Sequence, residues 1–186
     1  ILYRGSHVSI ASFPGMAERT IILDGYSKTY AMTGWRLGFG VVPQSLVQHF
    51  VKLANNSVSC TPTFVQRAAL ACHEAEGEVE RMVAEFAVRR KVVVEGLNAI
   101  EGIRCLWPAG AFYVFPNVAG VGVSSAQLAH YLLHEAGVAV LSGTAFGPAG
   151  DGHLRISYAN SLPNLQEALR RIEWAVGRVR KQEATV

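Results

Sequence analysis

Apolar positions along the chain follow two rhythms. Residues 19–24 (RTIILD) form a short β-branched run ending at Asp24-Gly25, which predicts a buried strand. Leu37 to Val42, interrupted by Gly38 and Gly40 and closed by Pro43, predicts a second strand whose glycines allow close backbone approach. Helical spacing then takes over. Leu46, Phe50 and Leu53 recur with Val47, Val51 and Ala54, and Pro62 stands near the start of a further helix, where a missing N–H is harmless. From Glu78 to about Ile100, Val79, Met82, Val83, Phe86, Val93, Leu97 and Ile100 return every three or four residues against a charged face. This predicts the longest helix.

After Gly102 the rhythm shortens to four predicted strands: Ile103 to Trp107, Phe112 to Phe115, Val138 to Leu141 and Leu154 to Tyr158. Between the second and third lies a helix opened by the capping box Ser124-x-x-Gln127 and closed by Gly137. A last helix starts at Ser161-Leu162-Pro163 with Leu165, Ala168, Leu169, Ile172, Val176 and Val179 on one stripe. Strand and helix alternate throughout, so α/β or α+β is the class. A boundary near residue 78 would separate 1–78, a two-strand remnant of one layer, from 79–186, a compact C-terminal module.

Composition narrows the classes. The 186 residues are half hydrophobic and only 17% charged, so the chain is not disordered. A net charge of +3 with scattered basic residues argues against a nucleic-acid partner. No apolar stretch reaches the roughly 18 to 20 residues of a spanning helix. Three cysteines (Cys60, Cys72 and Cys105) without CxxC spacing argue against a disulfide framework or zinc site, and suggest a reducing, cytoplasmic setting with the thiols buried. His130 and His134 lie four apart on a helix, but no third ligand accompanies them, so no metal is expected. The start Ile1-Leu2-Tyr3-Arg4-Gly5 carries no initiator Met and no signal features, and reads as cut from something longer. A mean hydropathy of +0.22 suggests apolar surface meant to be covered.

The chemistry concentrates in residues 24–38. Lys28 follows the end of an apolar strand, among aromatic residues and glycines, and Arg36 lies eight residues on. A lysine amine is a strong nucleophile when deprotonated, a state favoured by partial desolvation beside another cation. A carbonyl-seeking amine, a guanidinium and the Ser27 hydroxyl together suit a phosphorylated, carbonyl-bearing cofactor.

The order YSKTYAMTGWRLG resembles the lysine signature of the class I/II pyridoxal-phosphate-dependent aminotransferases, the aspartate-aminotransferase-like branch of fold-type I. Residues 55–66 (NNSVSCTPTFVQ), Gly110 to Pro116 (GAFYVFP), Gly143 to Gly147 (GTAFG) and Leu154 to Ala159 (LRISYA) are similar to further family segments, so the likeness spans essentially the whole chain. It implies the C-terminal portion of such an enzyme: edge strands of the large-domain sheet plus an α/β small domain. It implies that Lys28 forms the Schiff base with pyridoxal phosphate and moves the proton of the amino-transfer step, that Ser27 and Arg36 hold the cofactor phosphate, and that Arg155 grips the substrate α-carboxylate. Where many relatives carry a serine three residues before the lysine, Gly25 stands here, leaving a backbone N–H as the substitute. Residues 143–152 read as a mobile loop presenting the strand of Arg155.

The resemblance further implies α-amino acid and α-keto acid substrates, a homodimer, and upstream residues for the pyridine nitrogen and 3-oxygen. It follows that the chain alone should not transaminate and should self-associate. A β-lyase or synthase of the same fold, or a non-catalytic cofactor-binding sensor of a transcription regulator, are the alternative readings.

Overall fold

The computed structural model describes residues 1–183. Packing divides them into two units, residues 5–82, and residues 1–4 together with 83–186.

In residues 5–82 the apolar run forms strand β1 (Ile22–Gly25), paired antiparallel with β2 (Gly38–Val41) in the register Ile22↔Val41 to Gly25↔Gly38. Two glycines face each other at the end of this ladder for a steric reason. A Cβ on Gly25 would lie 3.2 Å from the Leu37 carbonyl, and one on Gly38 would lie 3.0 Å from that of Asp24. The connection holds a one-turn helix, α1 (Tyr26–Thr29), and a 3-10 turn at Thr33–Trp35. Helices α2 (Val47–Ser57) and α3 (Thr63–Ala68) follow, the latter entered through Pro62. The strand begins later than the apolar run because Ala17–Arg19 close a 3-10 turn first, held by the Thr20 hydroxyl on the Met16 carbonyl at 2.6 Å.

The expected burial of this strand is not found. Leu23 is 72% exposed, and among the described residues of this unit only Met32, Val65 and Ala69 are buried hydrophobics. A two-stranded ladder has no third strand and no facing layer inside its own unit, so β-branched side chains that usually pack a core are left on its surface.

The other unit supplies a core. Helix α4 (Glu76–Asn98) begins before its first residue and buries Val93, Val94 and Leu97. Strand β3 (Tyr113–Val114), helix α5 (Ser125–Ala136), strand β4 (Leu141–Ser142), strand β5 (Leu154–Ser157) and helix α6 (Leu162–Glu183) complete it. The sheet order is β3-β5-β4, antiparallel throughout, so β5 is the central strand. Leu128, Leu132 and Ala136 of α5 and Leu165, Ile172, Val176 and Val179 of α6 pack into one cluster with Val114, Leu154 and Tyr158. Each fully buried leucine or valine contributes about 1.5 to 3 kcal/mol of transfer free energy.

The capping box forms as expected: Ser124 accepts from the Gln127 amide and Gln127 from the Ser124 amide, while Gly137 closes α5 at φ 64°. Of the predicted strands, one does not form and one starts late, each for an identifiable reason. The Cys105 amide donates to Asn98 Oδ1 at 2.8 Å and its carbonyl accepts from Asn98 Nδ2 at 2.9 Å, so residues 103–107 keep only the single bridge Arg104↔Asn117. The Val138 amide donates to the Leu132 carbonyl at 2.8 Å in closing α5, and the third strand starts only at Leu141.

Candidate active site

Ser27 and Lys28 occupy the middle of α1, entered from β1 through extended Gly25. The Tyr26 ring stacks on Tyr30 at 5.4 Å and meets Phe39 and His73 edge-on at 6.0 and 6.3 Å, and its hydroxyl lies 3.5 Å from His73 Nε2. This aromatic group fixes the helical turn carrying the lysine. Ser27 is half-buried, whereas Lys28 is exposed, in contrast to the desolvated position expected of it. Tyr26 and Ser27 on the same turn are partly covered within residues 5–82, and the Lys28 side chain is not. Among the described residues the Lys28 side chain makes no ion pair or hydrogen bond, while its backbone carbonyl accepts from the Tyr30 N–H in closing α1.

Arg36 caps the 3-10 turn in the left-handed region, at φ 55° and ψ 44°. A non-glycine residue held there is strained by about 1 kcal/mol, and such strain gathers at functional sites. The Thr61 hydroxyl donates to its carbonyl at 3.3 Å, while Arg36 Nη1 donates to the Thr33 carbonyl at 3.0 Å. One guanidinium N–H is thus used internally, and no carboxylate pairs with the group among the described residues. Gly25 offers less than expected: its N–H already donates to Asp24 Oδ1 at 2.7 Å, so it is not a free substitute for the absent serine hydroxyl. An unpaired amine, an unpaired guanidinium and an adjacent hydroxyl remain, a donor set that fits an aldehyde bearing a phosphate.

Arg155 belongs to the other unit, on the central strand β5 opposite Leu141 of β4. Its guanidinium lies over the Tyr113 ring at 4.6 Å and over the Phe146 ring at 4.7 Å. A cross-strand ion pair is the usual state of such an arginine. Among the described residues no carboxylate pairs with it and no acceptor takes its N–H groups. Tyr113 comes from β3, whose pairing Tyr113↔Ser157 makes Arg155 its diagonal neighbour on one face.

Phe146 comes from a 3-10 turn at Gly143–Phe146, followed by a second at Pro148–Gly150. The segment expected to be mobile is bonded at both ends: Gly143 N–H donates to the His153 carbonyl at 2.7 Å, and His153 N–H donates to the Gly150 carbonyl at 3.2 Å. Gly143 and Gly150 touch so closely that a Cβ on either would fall 2.0 Å from the carbonyl oxygen of the other.

Behind this strand, fully buried Tyr158 donates to the Ala111 carbonyl at 2.9 Å, and Tyr3 donates to the same oxygen at 2.8 Å. Burial pushes both phenols above their ordinary range. In Tyr158 the hydrogen bond and charge of Tyr3 add to that, while Arg90 opposes it in both. Ala111, at φ 63°, is thereby held in the turn that leads into β3. Ser27 and Lys28 lie on α1 and Arg36 at the end of the 3-10 turn that follows it, all in residues 5–82, and Arg155 lies in the other unit. Sequence reasoning gave no role to Tyr26, Thr61, Tyr113 or Phe146. The signal for Tyr113 and Phe146 was present in the aromatic strand and the glycine-flanked Thr-Ala-Phe loop, but only the strand register and the turn geometry show that both rings reach Arg155.

The remaining candidates fall outside this chemistry. The His130 and His134 rings sit 4.2 Å apart on the exposed face of α5, and no group of three metal-ligating side chains gathers among the described residues. Cys105 is buried as expected, with burial pushing its thiol up to about 11, but Cys72 is half-buried and Cys60 exposed. No described helix is long and apolar enough to cross a membrane.

The family model for aminotransferase class I and II matches residues 2–172. An aspartate aminotransferase of Pyrococcus abyssi is 45% identical over 170 residues, covering 90% of this chain and 43% of the relative. An arginine–pyruvate transaminase of Pseudomonas aeruginosa is 42% identical over 173 residues, covering 92% of this chain and 44% of the relative. The crystal structure of an aromatic aminotransferase from Pyrococcus horikoshii superposes with a TM-score of 0.89 at 43% identity, over 100% of this chain and 49% of that one. The chain thus spans about half the length of the relatives it matches. With the fold, the lysine segment and the family match in agreement, the chain belongs to the class I and II aminotransferases, the family of fold-type-I enzymes that use pyridoxal phosphate.

Proposed function

We propose that a protein carrying this chain, together with the further length its relatives have, transfers an amino group between an α-amino acid and an α-keto acid. The observation that carries this reading is that Lys28 on α1 and Arg155 on β5, each in the family segment where such a residue is expected, make no ion pair among the described residues. Pyridoxal phosphate, when bound, supplies a conjugated ring that withdraws electrons from the substrate's Cα. Lys28 would hold the cofactor at its carbonyl carbon through its amine and, with that amine free, would be the base that takes the proton from the substrate's Cα and the acid that delivers it to the carbon on the other side of the substrate nitrogen. Ser27 and Arg36 would hold the phosphate, the first through its hydroxyl and the second through the guanidinium N–H groups not donated to Thr33. The planar fork of Arg155 binds the α-carboxylate, which every α-amino acid presents.

Substrate preference is not fixed by these residues. Relatives of near-equal identity are named for aspartate, arginine and aromatic substrates. The same reading carries a cytoplasmic homodimer and an inactive 186-residue chain. The test is keto-acid formation from a panel of amino acids by the full-length protein. Transfer should be lost in Lys28→Ala, and the 186-residue chain alone should show none. Undiminished transfer by Lys28→Ala would overturn the assignment of that residue.

A further inference from the structure

We propose that Tyr113 and Phe146 are positioning residues for Arg155, holding its guanidinium by their ring faces so that its N–H edge stays open to a carboxylate. The inference rests on the reading of Arg155 as the carboxylate-binding arginine and deepens it. A half-buried arginine usually has its charge answered by an acidic side chain or a carbonyl. Here neither is present among the described residues, and two aromatic rings stand at 4.6 and 4.7 Å instead. Ring faces attract the cation but take none of its five N–H donors, which point outward in the guanidinium plane. Such a clamp restricts the side chain before a ligand arrives without offering an oxygen that competes with it.

Both rings are themselves fixed by backbone. Tyr113 sits in the β3–β5 register, two residues beyond the Ala111 carbonyl that Tyr3 and Tyr158 both bind. Phe146 is 51% exposed, so a core does not hold it. Its place comes from the two 3-10 turns locked by Gly143 against Gly150, and from its edge-on contact with Phe115 at 6.2 Å. Phe115 in turn stacks on His153 at 5.1 Å, the residue whose carbonyl receives the Gly143 N–H. The loop's glycines and aromatics therefore serve one end, the orientation of Arg155.

The test combines kinetics of the full-length enzyme with spectroscopy of the 186-residue chain. Phe146→Leu keeps an apolar side chain but removes the ring. It should raise the KM for the amino acid and for the keto acid about tenfold, with kcat within about twofold, and Phe146→Tyr should restore both. In an Arg155→Gln background Phe146→Leu should have no further effect. In a nitrogen-15 spectrum of the chain, the Arg155 Nε–H resonance should be displaced by the rings and should move toward the free-arginine position in Phe146→Leu and in Tyr113→Leu. An unchanged KM, an equal effect in the Arg155→Gln background, or a resonance that stays in place overturns the clamp. If the wild-type enzyme transfers no amino group, the functional reading fails by itself, and the resonance still decides the clamp.

Discussion

At the scale of single residues, the site depends on which polar groups are left without partners. Arg155 is the clearest case: the fold stacks this cation on two rings without an ion pair, and the proposed reading assigns its N–H groups to the substrate carboxylate. Arg155→Lys keeps the charge and loses the planar fork. It should raise the KM for every amino acid by about ten- to a hundredfold, measured by steady-state kinetics on the full-length protein. Cys105 makes the opposite point, a titratable group the fold keeps neutral. Its thiol titrates at about 11 in the folded chain against 9.0 as the ordinary value. Because the folded pKa is raised, the contribution is fully present below pH 9 and is lost as pH rises through 11. Denaturant titration should show stability falling by on the order of 2 kcal/mol across that window, and Cys105→Ala should flatten the fall. An alkylating reagent should modify exposed Cys60 first and Cys105 only on unfolding.

At the scale of elements, periodicity predicted the helices well and the short strands poorly. The α6 stripe of Leu165, Ile172, Val176 and Val179 is buried as the spacing required, because a helix satisfies its own backbone and only its face remains to be placed. Strands depend on partners that a local pattern cannot see. Residues 103–107 have the composition of a strand, yet a distant side chain, Asn98, takes both hydrogen bonds of Cys105. The site was legible to the same extent. Lys28 and Arg36 could be picked from an ordered motif, whereas the ring contacts of Arg155 arise from register and from a turn geometry that no single residue announces. The Gly143–Gly150 contact shows what that turn requires. Gly150→Ala would place a Cβ 2.0 Å from the Gly143 carbonyl and should cost about 3 kcal/mol in thermal or denaturant unfolding.

At the scale of the whole molecule, the two units differ in what they bury. The described residues from 83 on close a core around Leu97, Leu128, Leu132 and Tyr158, while residues 5–82 leave Leu23, Val58, Phe64 and Leu70 between 68% and 78% exposed. Apolar surface on that scale favours association. Light scattering on the 186-residue chain should therefore give a mass that rises with concentration, and a stable monomer at high concentration would count against this reading. The same surface explains the slightly high mean hydropathy: the apolar residues are present in number, but one unit has no layer of its own in which to bury them.

The central claim is that Lys28 is the residue that captures the cofactor's carbonyl, and it can be tested by trapping. The full-length protein is incubated with pyridoxal phosphate, reduced with borohydride, digested and mapped by mass spectrometry. The account predicts a single stoichiometric adduct on the peptide carrying Lys28, absent from the peptides of Lys52, Lys91 and Lys181. An adduct distributed over those surface lysines, or none on Lys28, would contradict it.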